Sequence, residues 1–267
     1  KQIKRKHVKV DLLLTGYQNA SPYPQCFENL DTKQKINEGK KVALKCLDRS
    51  LSSINLVQPE YFLPFAGTYV LTGKLSKIDR LRGVPTIDDA FDYLSKNQSF
   101  SKPLMLKTDS EFDFSTKLYS KKYEKFDVVK YNEYLETLSS KKLDFENNEF
   151  PNLEEIYDLA KSAHLKYLEK KLNLNMKFDT DIYIKIYDKF IKLDKNNEIL
   201  LKENFDLNTI TEKFVLYKVD PRLLKLLLNG PRYAHWNNAE IGSHLNIIRN
   251  PNIFERQVYG SMNYFHN

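Results

Sequence analysis

Residues His7–Phe27, HVKVDLLLTGYQNASPYPQCF, join a largely apolar run to a polar segment that two prolines interrupt. The run through Thr15 is typical of a strand that is buried on both faces, as the strands of parallel sheets are. It ends at Gly16, and several of the residues that follow carry hydroxyl and amide groups. Because ligands of open α/β sheets bind outside the carboxyl ends of the strands, we expect this segment to border a functional site.

The next elements predict a parallel sheet with crossover helices. They are a helix that Asp31 or Thr32 caps and Pro59 follows, a strand over Tyr61–Gly67, a helix over Thr86–Leu94 and a strand over Pro103–Lys107. Strands that alternate with helices form parallel βαβ units. A parallel sheet needs cover on both faces, and so few strands do not close a core. We therefore expect residues 1–110 to be half of a domain, with the other half upstream, missing or supplied by another chain.

The rest of the chain predicts a connector and then an α+β domain. Residues 111–152 are charged, tyrosine-rich and weakly periodic, which is typical of a connector with short helices. The elements predicted within 153–267 are a helix over Leu153–Leu172, strands over Asp181–Tyr187, Phe190–Leu193, Glu198–Leu201 and Thr211–Val219, and helices over Asp220–Gly230, Asn237–Arg249 and from Pro251 onward. We expect the strands to form a small antiparallel meander that the helices cover. The predicted fold class is thus α/β followed by α+β.

The charge of the chain limits its partners. Its 267 residues include 42 Lys+Arg and 35 Asp+Glu, which gives a net charge of +7. The two signs are interspersed, as on an ordinary solvated surface. Neither basic cluster, Lys1–His7 or Lys117–Lys125, has the sustained cationic and aromatic spacing of a nucleic-acid groove. We expect no nucleic-acid partner, whereas a small anionic ligand such as a nucleotide or a sugar phosphate is compatible with this charge.

Cysteine content and hydropathy indicate the compartment. Cys26 and Cys46 form neither a disulfide framework nor a zinc motif, which is typical of a reducing compartment. No apolar run approaches the ~20 residues of a membrane span, and Lys1–Lys9 lacks the apolar core of a signal peptide. We expect a cytoplasmic protein with no membrane partner.

The five histidines show no metal-binding spacing. No two lie at H-x-H or H-x-x-x-H, so no local zinc or iron hydrolase site is predicted. His164 and His244 fall on apolar helix faces, where a core histidine is expected. His235 lies in a polar loop and is the candidate functional histidine. Asp88 and Asp89 begin a helix, where carboxylates favour the helix dipole; the alternative is a catalytic pair.

The candidate substrate-binding residues lie in loops, most of them at the predicted carboxyl edge of the sheet. They are Tyr17, Ser21, Tyr23 and Gln25 after the first strand, Tyr69 after the second, and His235. Their hydroxyl, amide and imidazole groups suit a polar ligand. The alternative is an ordered proline-rich loop that packs on its neighbours. No P-loop, G-x-G-x-x-G or G-x-S-x-G motif occurs, so no catalytic residue is assigned.

Several segments together resemble a known family. They are Val10–Tyr17 with Ala20–Pro24, Gln58–Tyr69, and Trp236-x-x-Ala-Glu-Ile-Gly-Ser-His-Leu-x-x-x-Arg-Asn-Pro251. In order and approximate spacing they resemble the later half of the metallo-β-lactamase-fold region in CMP-N-acetylneuraminate hydroxylase-like proteins. That group includes bacterial relatives implicated in sugar-nucleotide and surface-polysaccharide chemistry.

The resemblance implies a four-layer αββα sandwich whose first half carries H-x-H-x-D-H metal ligands. This chain has no such segment and would begin after the ligand-bearing strands. A divalent metal, zinc or iron, is therefore expected only with an upstream half of the fold, in the same polypeptide or in a partner chain. Where metallo-β-lactamases often carry a later metal histidine, this chain has Pro64-Phe-Ala66, so a dinuclear hydrolase site is not implied. No Cys-x-His pair exists for the Rieske cluster of the hydroxylases.

Three hypotheses of function follow. The first is the C-terminal portion of a metallo-β-lactamase-fold hydrolase or oxygenase-like enzyme that acts on a sugar nucleotide or a similar anionic metabolite. The second is a non-catalytic ligand-binding module, in which residues 182–267 form a sterol-carrier-like sheet-plus-helix pocket. The third is an assembly subunit whose incomplete sheet a partner completes, and a homo-oligomer is one such assembly.

Overall fold

The computed structural model describes residues 9–65, 69–203, 206 and 210–267, which form two compact units. The first unit comprises residues up to Asn19, Ile36–Val70 and Gly83–Thr137, and the second comprises Ala20–Lys35, Leu71–Arg82 and Leu138–Asn267. Both units contain helices and strands, so the protein has a mixed α/β architecture. Within the described ranges, no helix combines the length and the apolar character needed to cross a membrane.

The first unit is built on a parallel sheet. Its elements are β1 (Leu12–Thr15), α1 (Thr32–Val57, whose first turn belongs to the second unit), β2 (Tyr61–Pro64), α2 (Ile87–Lys96) and β3 (Lys102–Pro103). The strands lie in the order β1-β2-β3, with Leu13 opposite Phe62. The predicted parallel sheet with crossover helices is confirmed. The third strand is shorter than predicted and begins one residue earlier. The end of the second predicted strand, at residues 66 and 67, lies outside the described residues.

Both crossover helices cover the same face of this sheet. Ile54 of α1 and Leu94 of α2 pack against Phe62, and Leu13 joins the cluster from β1. Successive strands follow each other in one direction across the sheet. Because βαβ crossovers are right-handed, that order keeps every crossover helix on one side.

The opposite face of the sheet is only partly covered. Tyr61 is buried there beneath a hairpin formed by β4 (Phe112–Asp113) and β5 (Leu118–Tyr119), with its ring centroid 5.4 Å from that of Phe112. Leu14 belongs to the same face by strand alternation, yet 50% of its surface is exposed. The segment predicted as a connector therefore contains a hairpin as well as the helix α3 (Val128–Ser139), and it leaves apolar sheet surface open.

The second unit is a five-stranded sheet covered by helices. Its elements are a 3-10 helix at Gly73–Leu81, a short one at Asp144–Asn147, α4 (Leu153–Asn173), β6 (Asp181–Ile186), β7 (Lys189–Leu193), β8 (Ile199–Lys202), β9 (Phe214–Lys218), α5 (Pro221–Asn229), α6 (Trp236–Ile241), β10 (Asn246–Asn250) and α7 (Arg256–Met262). The strand order is β10-β9-β6-β7-β8. The main core lies between this sheet and its helices and includes Ile184, Tyr217, Leu224 and Trp236.

The predicted antiparallel meander is wrong for its last strand, because β9 runs parallel to β6. The residues Phe214, Val215, Leu216 and Tyr217 are all buried, although they point alternately to opposite faces. A strand buried on both faces belongs inside a sheet rather than at its edge. It therefore lies between β6 and β10, where both of its backbone edges are paired.

The predicted helix over Asn237–Arg249 is also wrong. The helix α6 ends at Ile241, because Ser243 adopts a left-handed conformation with φ of 63°, and the chain then enters β10. His235 rather than Asn237 caps this helix. The final helix begins at Arg256, five residues later than predicted, since the chain from Pro251 to Glu255 is not helical.

Candidate functional site

A cleft of about 680 Å³ opens in the first unit. Its walls come from the first turns of α2, the end of β3, the strand β5 and the segment after it. The lining residues are Asp88, Phe91, Asp92, Pro103, Met105, Tyr119, Lys122, Tyr123 and Lys125. This volume is within the range typical of small-molecule sites.

The cleft lies at the carboxyl edge of the parallel sheet. Pro103 ends β3 and Met105 follows it, so both mark that edge. The helix α2 leads back toward the start of β3, and its first turn, with Asp88, therefore lies at the same edge. Thr86 fixes that turn with a capping box, in which its hydroxyl accepts the N–H of Asp89 and its own N–H bonds the Asp89 carboxylate.

The Asp88 carboxylate holds one wall of the cleft in place. One oxygen accepts the hydroxyl of Tyr123 at 3.1 Å, and the other accepts the backbone N–H of Phe126 at 2.7 Å. Burial and the neighbouring Asp88 charge raise the pKa of Tyr123 above its usual 10.0, so this phenol keeps its proton at neutral pH. The carboxylates of Asp88 and Asp89 thus accept hydrogen bonds from different structural partners. This favours a role at the start of the helix over a catalytic pair.

Three aromatic rings make most of the remaining cleft surface apolar. Phe91, Tyr119 and Tyr123 line it together with Met105. Burial also raises the pKa of Tyr119. Rings arranged around a cleft offer flat faces on which a planar ligand group stacks.

Two lysines supply positive charge at this site. Lys122 and Lys125 line the cleft, and neither forms an ion pair with a carboxylate in the described part of the chain. Asp92 also lines it, and its carboxylate forms no hydrogen bond or ion pair with the side chain of another described residue. The cleft therefore combines aromatic faces, two available cations and one available carboxylate. That combination can bind a ligand with an anionic group, a planar ring and hydrogen-bonding substituents.

Two of the predicted site residues belong to the first unit. Tyr17 is buried with Leu47 and Ala90, and it lies close enough to Tyr123 to contribute to the raised pKa of that residue. Tyr17 thus stands beside the cleft as a packing residue. Tyr69 is half-buried in the same unit and is not among the cleft residues.

The other predicted residues belong to the second unit. Ser21, Tyr23 and Gln25 come together in one compact turn, where the Ser21 hydroxyl accepts the backbone N–H of Tyr23 at 3.1 Å. The Gln25 amide donates to the hydroxyl of Ser243 at 3.0 Å, while its own oxygen is buried without a hydrogen-bond partner among the described residues. Most of these polar groups therefore serve the turn itself, which is the packing alternative left open by the sequence.

The three histidines that the sequence analysis discussed individually, His164, His235 and His244, have structural positions. His235 is half-buried, and its Nδ1 accepts the backbone N–H of Asn237 at 3.1 Å as the cap of α6. His164 is buried on α4 beside Tyr167, as expected of a core histidine. His244 is half-buried and lies in the turn before β10 rather than on a helix face.

The described residues do not assemble a metal site. No group of three or more His, Cys, Asp or Glu side chains with ligand geometry occurs among them. The ends of β1 and β2 carry Thr15-Gly16-Tyr17 and Pro64-Phe65, which are not the donors that zinc or iron prefers. The part of the chain that the structure describes therefore does not fit a metal on its own.

Sequence reasoning missed most of the cleft. Of the lining residues, the sequence singles out only Asp88 as a candidate, and Lys122, Tyr123 and Lys125 lie in the segment that it predicts to be a connector. The one available signal was a cluster of lysines and tyrosines at 117–125, which also fits an ordinary surface. Comparisons of the chain with protein-family models, with curated proteins and with solved structures found no match.

Proposed function

We propose that this chain is the substrate-binding C-terminal portion of a metal-dependent metallo-β-lactamase-fold enzyme, which acts on a sugar nucleotide or a similar anionic metabolite in the cytoplasm. The observation that carries the proposal is the cleft at the carboxyl edge of the parallel sheet. Ligands of open α/β sheets bind at that edge. The cleft offers what such a metabolite needs, since Lys122 and Lys125 suit a phosphate and Phe91, Tyr119 and Tyr123 suit a base.

The partly covered sheet supports the proposal that this chain is one portion of a larger fold. Both crossover helices cover one face of the sheet, and Leu14 on the other face is half exposed. A layered domain needs cover on both faces of a parallel sheet. One half of an αββα sandwich would present such a face to its other half, which we assign to an upstream segment or to a partner chain. The metal ligands would belong to that half.

A reconstitution experiment tests this function. The chain is co-expressed with a candidate half that carries H-x-H-x-D-H, and the purified complex is measured for metal content and for turnover of sugar nucleotides. The proposal expects bound zinc or iron and turnover that a chelator abolishes. The matched control is the same half without this chain, which is expected to lack turnover.

Two outcomes would contradict the proposal. One is a complex that contains no metal, and the other is a metal-loaded complex that leaves every sugar nucleotide unchanged. Stable binding of the metabolite without any turnover would instead support the non-catalytic binding module.

A further inference from the structure

A buried arginine in the second unit lacks an acidic partner. Arg249, near the end of β10, is only 8% exposed. Its guanidinium carbon lies 4.4 Å from the ring centroid of Phe27 and 5.3 Å from that of Tyr23. Its Nε donates to the side-chain oxygen of Asn252 at 2.8 Å, and its Nη1 donates to the hydroxyl of Tyr259 at 3.2 Å.

Two other arginines of this unit with little exposure show the usual arrangement. Arg82 pairs with Asp79 at 2.8 Å, and Arg222 pairs with Asp220 at 2.8 Å. Arg249 forms no ion pair with any carboxylate of the described residues, and its Nη2 has no hydrogen-bond partner among them. Buried arginines are normally paired, because it is costly to remove a charge from water without compensation. Nη2 of Arg249 is not among the side-chain atoms that are closed off from solvent, so a small ligand can reach it. The aromatic faces stabilise the cation only in part.

The surroundings of the guanidinium fit a small ligand. Tyr259 accepts from Nη1 and keeps its own proton, since burial raises its pKa, so its hydroxyl remains available as a donor. Phe254 lies next to Tyr259 with ring centroids 5.1 Å apart, and 64% of its surface is exposed. A cation, a hydroxyl donor and an exposed ring therefore stand together at one edge of the sheet.

We propose that Arg249 and Tyr259 bind the oxyanion of a small ligand, a phosphate or a carboxylate, at the β10 edge of the second unit. The planar guanidinium presents paired N–H donors that match two oxygens of such a group. The exposed ring of Phe254 would contact the body of the ligand. This site belongs to the second unit and does not depend on the function proposed for the cleft.

Calorimetric titration of the 267-residue chain tests this site, with inorganic phosphate and benzoate as probes. Wild type is expected to bind at least one of them, and R249Q is expected to weaken that binding by about tenfold or more. The matched control R256Q removes an exposed arginine of α7 with the same change in charge, and its affinity should stay within about twofold of wild type. Phosphate binding alone identifies a phosphoryl ligand, and benzoate binding alone identifies a carboxylate.

Two further variants keep the test decisive if R249Q fails to fold, as judged by circular dichroism. R249K keeps the charge and loses the planar fork, and Y259F loses the hydroxyl, so each should weaken binding by about three- to tenfold. The proposal is overturned if wild type binds neither probe. It is equally overturned if folded R249Q, or both R249K and Y259F, bind as wild type does.

Discussion

The fully buried phenol of Tyr217, on β9, donates a hydrogen bond to the carboxyl of Glu240, on α6, across 3.3 Å. Burial raises the pKa of Glu240 to about 7, although the bond from Tyr217 acts in the opposite direction. Burial also raises the pKa of Tyr217 well above its usual value. At neutral pH the Tyr217 phenol therefore keeps its proton, whereas the Glu240 carboxyl loses its proton only as the pH rises through about 7.

This pair predicts a pH-dependent stability. The folded chain holds a proton on Glu240 between its usual pKa of 4.5 and about 7, whereas the unfolded chain releases it. The contribution of Glu240 to the free energy of unfolding is therefore largest below pH 4.5, decreases as the pH rises and is lost above about 7. At pH 8 the variant E240Q is expected to exceed wild type in free energy of unfolding by up to about 3 kcal/mol.

Urea unfolding of both proteins at pH 4 and pH 8 measures this difference. Since His164 and His244 titrate in both proteins, their contributions cancel in the comparison. A difference between wild type and E240Q that stays constant from pH 4 to pH 8 would contradict the raised pKa.

A second prediction concerns Gly83 in the first unit. Its φ of 63° is left-handed, and a Cβ there would lie 2.4 Å from the carbonyl oxygen of Gly39. The variant G83A is therefore expected to lose about 2 kcal/mol of stability or more, because strain and a backbone clash add. Thermal unfolding checks this value.

Gly260 provides the matched control within α7. Nothing lies within 4 Å of a Cβ at this position, and its φ is not left-handed. The variant G260A is expected to gain about 0.5 to 1 kcal/mol, because alanine favours the helix. If the free energy of unfolding of G83A were as high as that of G260A, the left-handed conformation and the close contact described for Gly83 would be wrong.

A third prediction concerns thiol reactivity. Burial raises the pKa of the Cys26 thiol to about 11, while a hydrogen bond with Ser243 lowers it only in part. The thiolate is the reactive form, so iodoacetamide at pH 8 is expected to leave Cys26 unmodified in the folded chain. Burial also raises the pKa of Cys46, but it is opposed there by the charges of Arg49 and Lys45, so Cys46 should react faster than Cys26.

Mass spectrometry of tryptic peptides after timed labelling gives both rates. Labelling in concentrated urea is the control, and there the two cysteines should react at similar rates. Faster labelling of Cys26 than of Cys46 in the folded chain would contradict its burial in the second unit.

The elements that were predicted correctly are those whose type is indicated by residues within the element or directly beside it. The helix α5 has Asp220 as its cap, Pro221 in its first turn and Gly230 after its end, and the structure places it there. The apolar run of β1 and the regular spacing of α4 are equally local. Each of these patterns fits only one kind of element, so the type of element does not depend on tertiary contacts.

The failures arise where one pattern fits two structures. Ile241, His244, Leu245 and Ile248 have helical spacing, but a short helix followed by a strand also buries Leu245 and Ile247. The left-handed turn at Ser243 decides between them, and the glycine directly before it, Gly242, is the one local signal of this helix end. The hairpin β4–β5 has strands too short for a detectable period, and its position is fixed by packing on Tyr61.

The candidate site was hidden for a different reason. The bond between Asp88 and Tyr123 joins α2 to a segment beyond the hairpin, which no local pattern reports. Likewise, Arg249 occurs within a motif that the sequence analysis singled out, yet its burial follows only from the packing of Phe27 and Tyr23 around it. For the cleft, the carboxyl edge of the parallel sheet was predictable from the sequence, whereas the side chains that line it were not.

Binding of cytidine monophosphate to the chain, followed by calorimetry, tests the proposed metabolite site most directly. Wild type is expected to bind one nucleotide, and K122Q/K125Q is expected to bind at least about tenfold more weakly. The control K40Q/K45Q removes two exposed lysines of α1 in the same unit and should leave the affinity unchanged. Absence of nucleotide binding by wild type, or equal affinity in K122Q/K125Q, would contradict the assignment of the cleft.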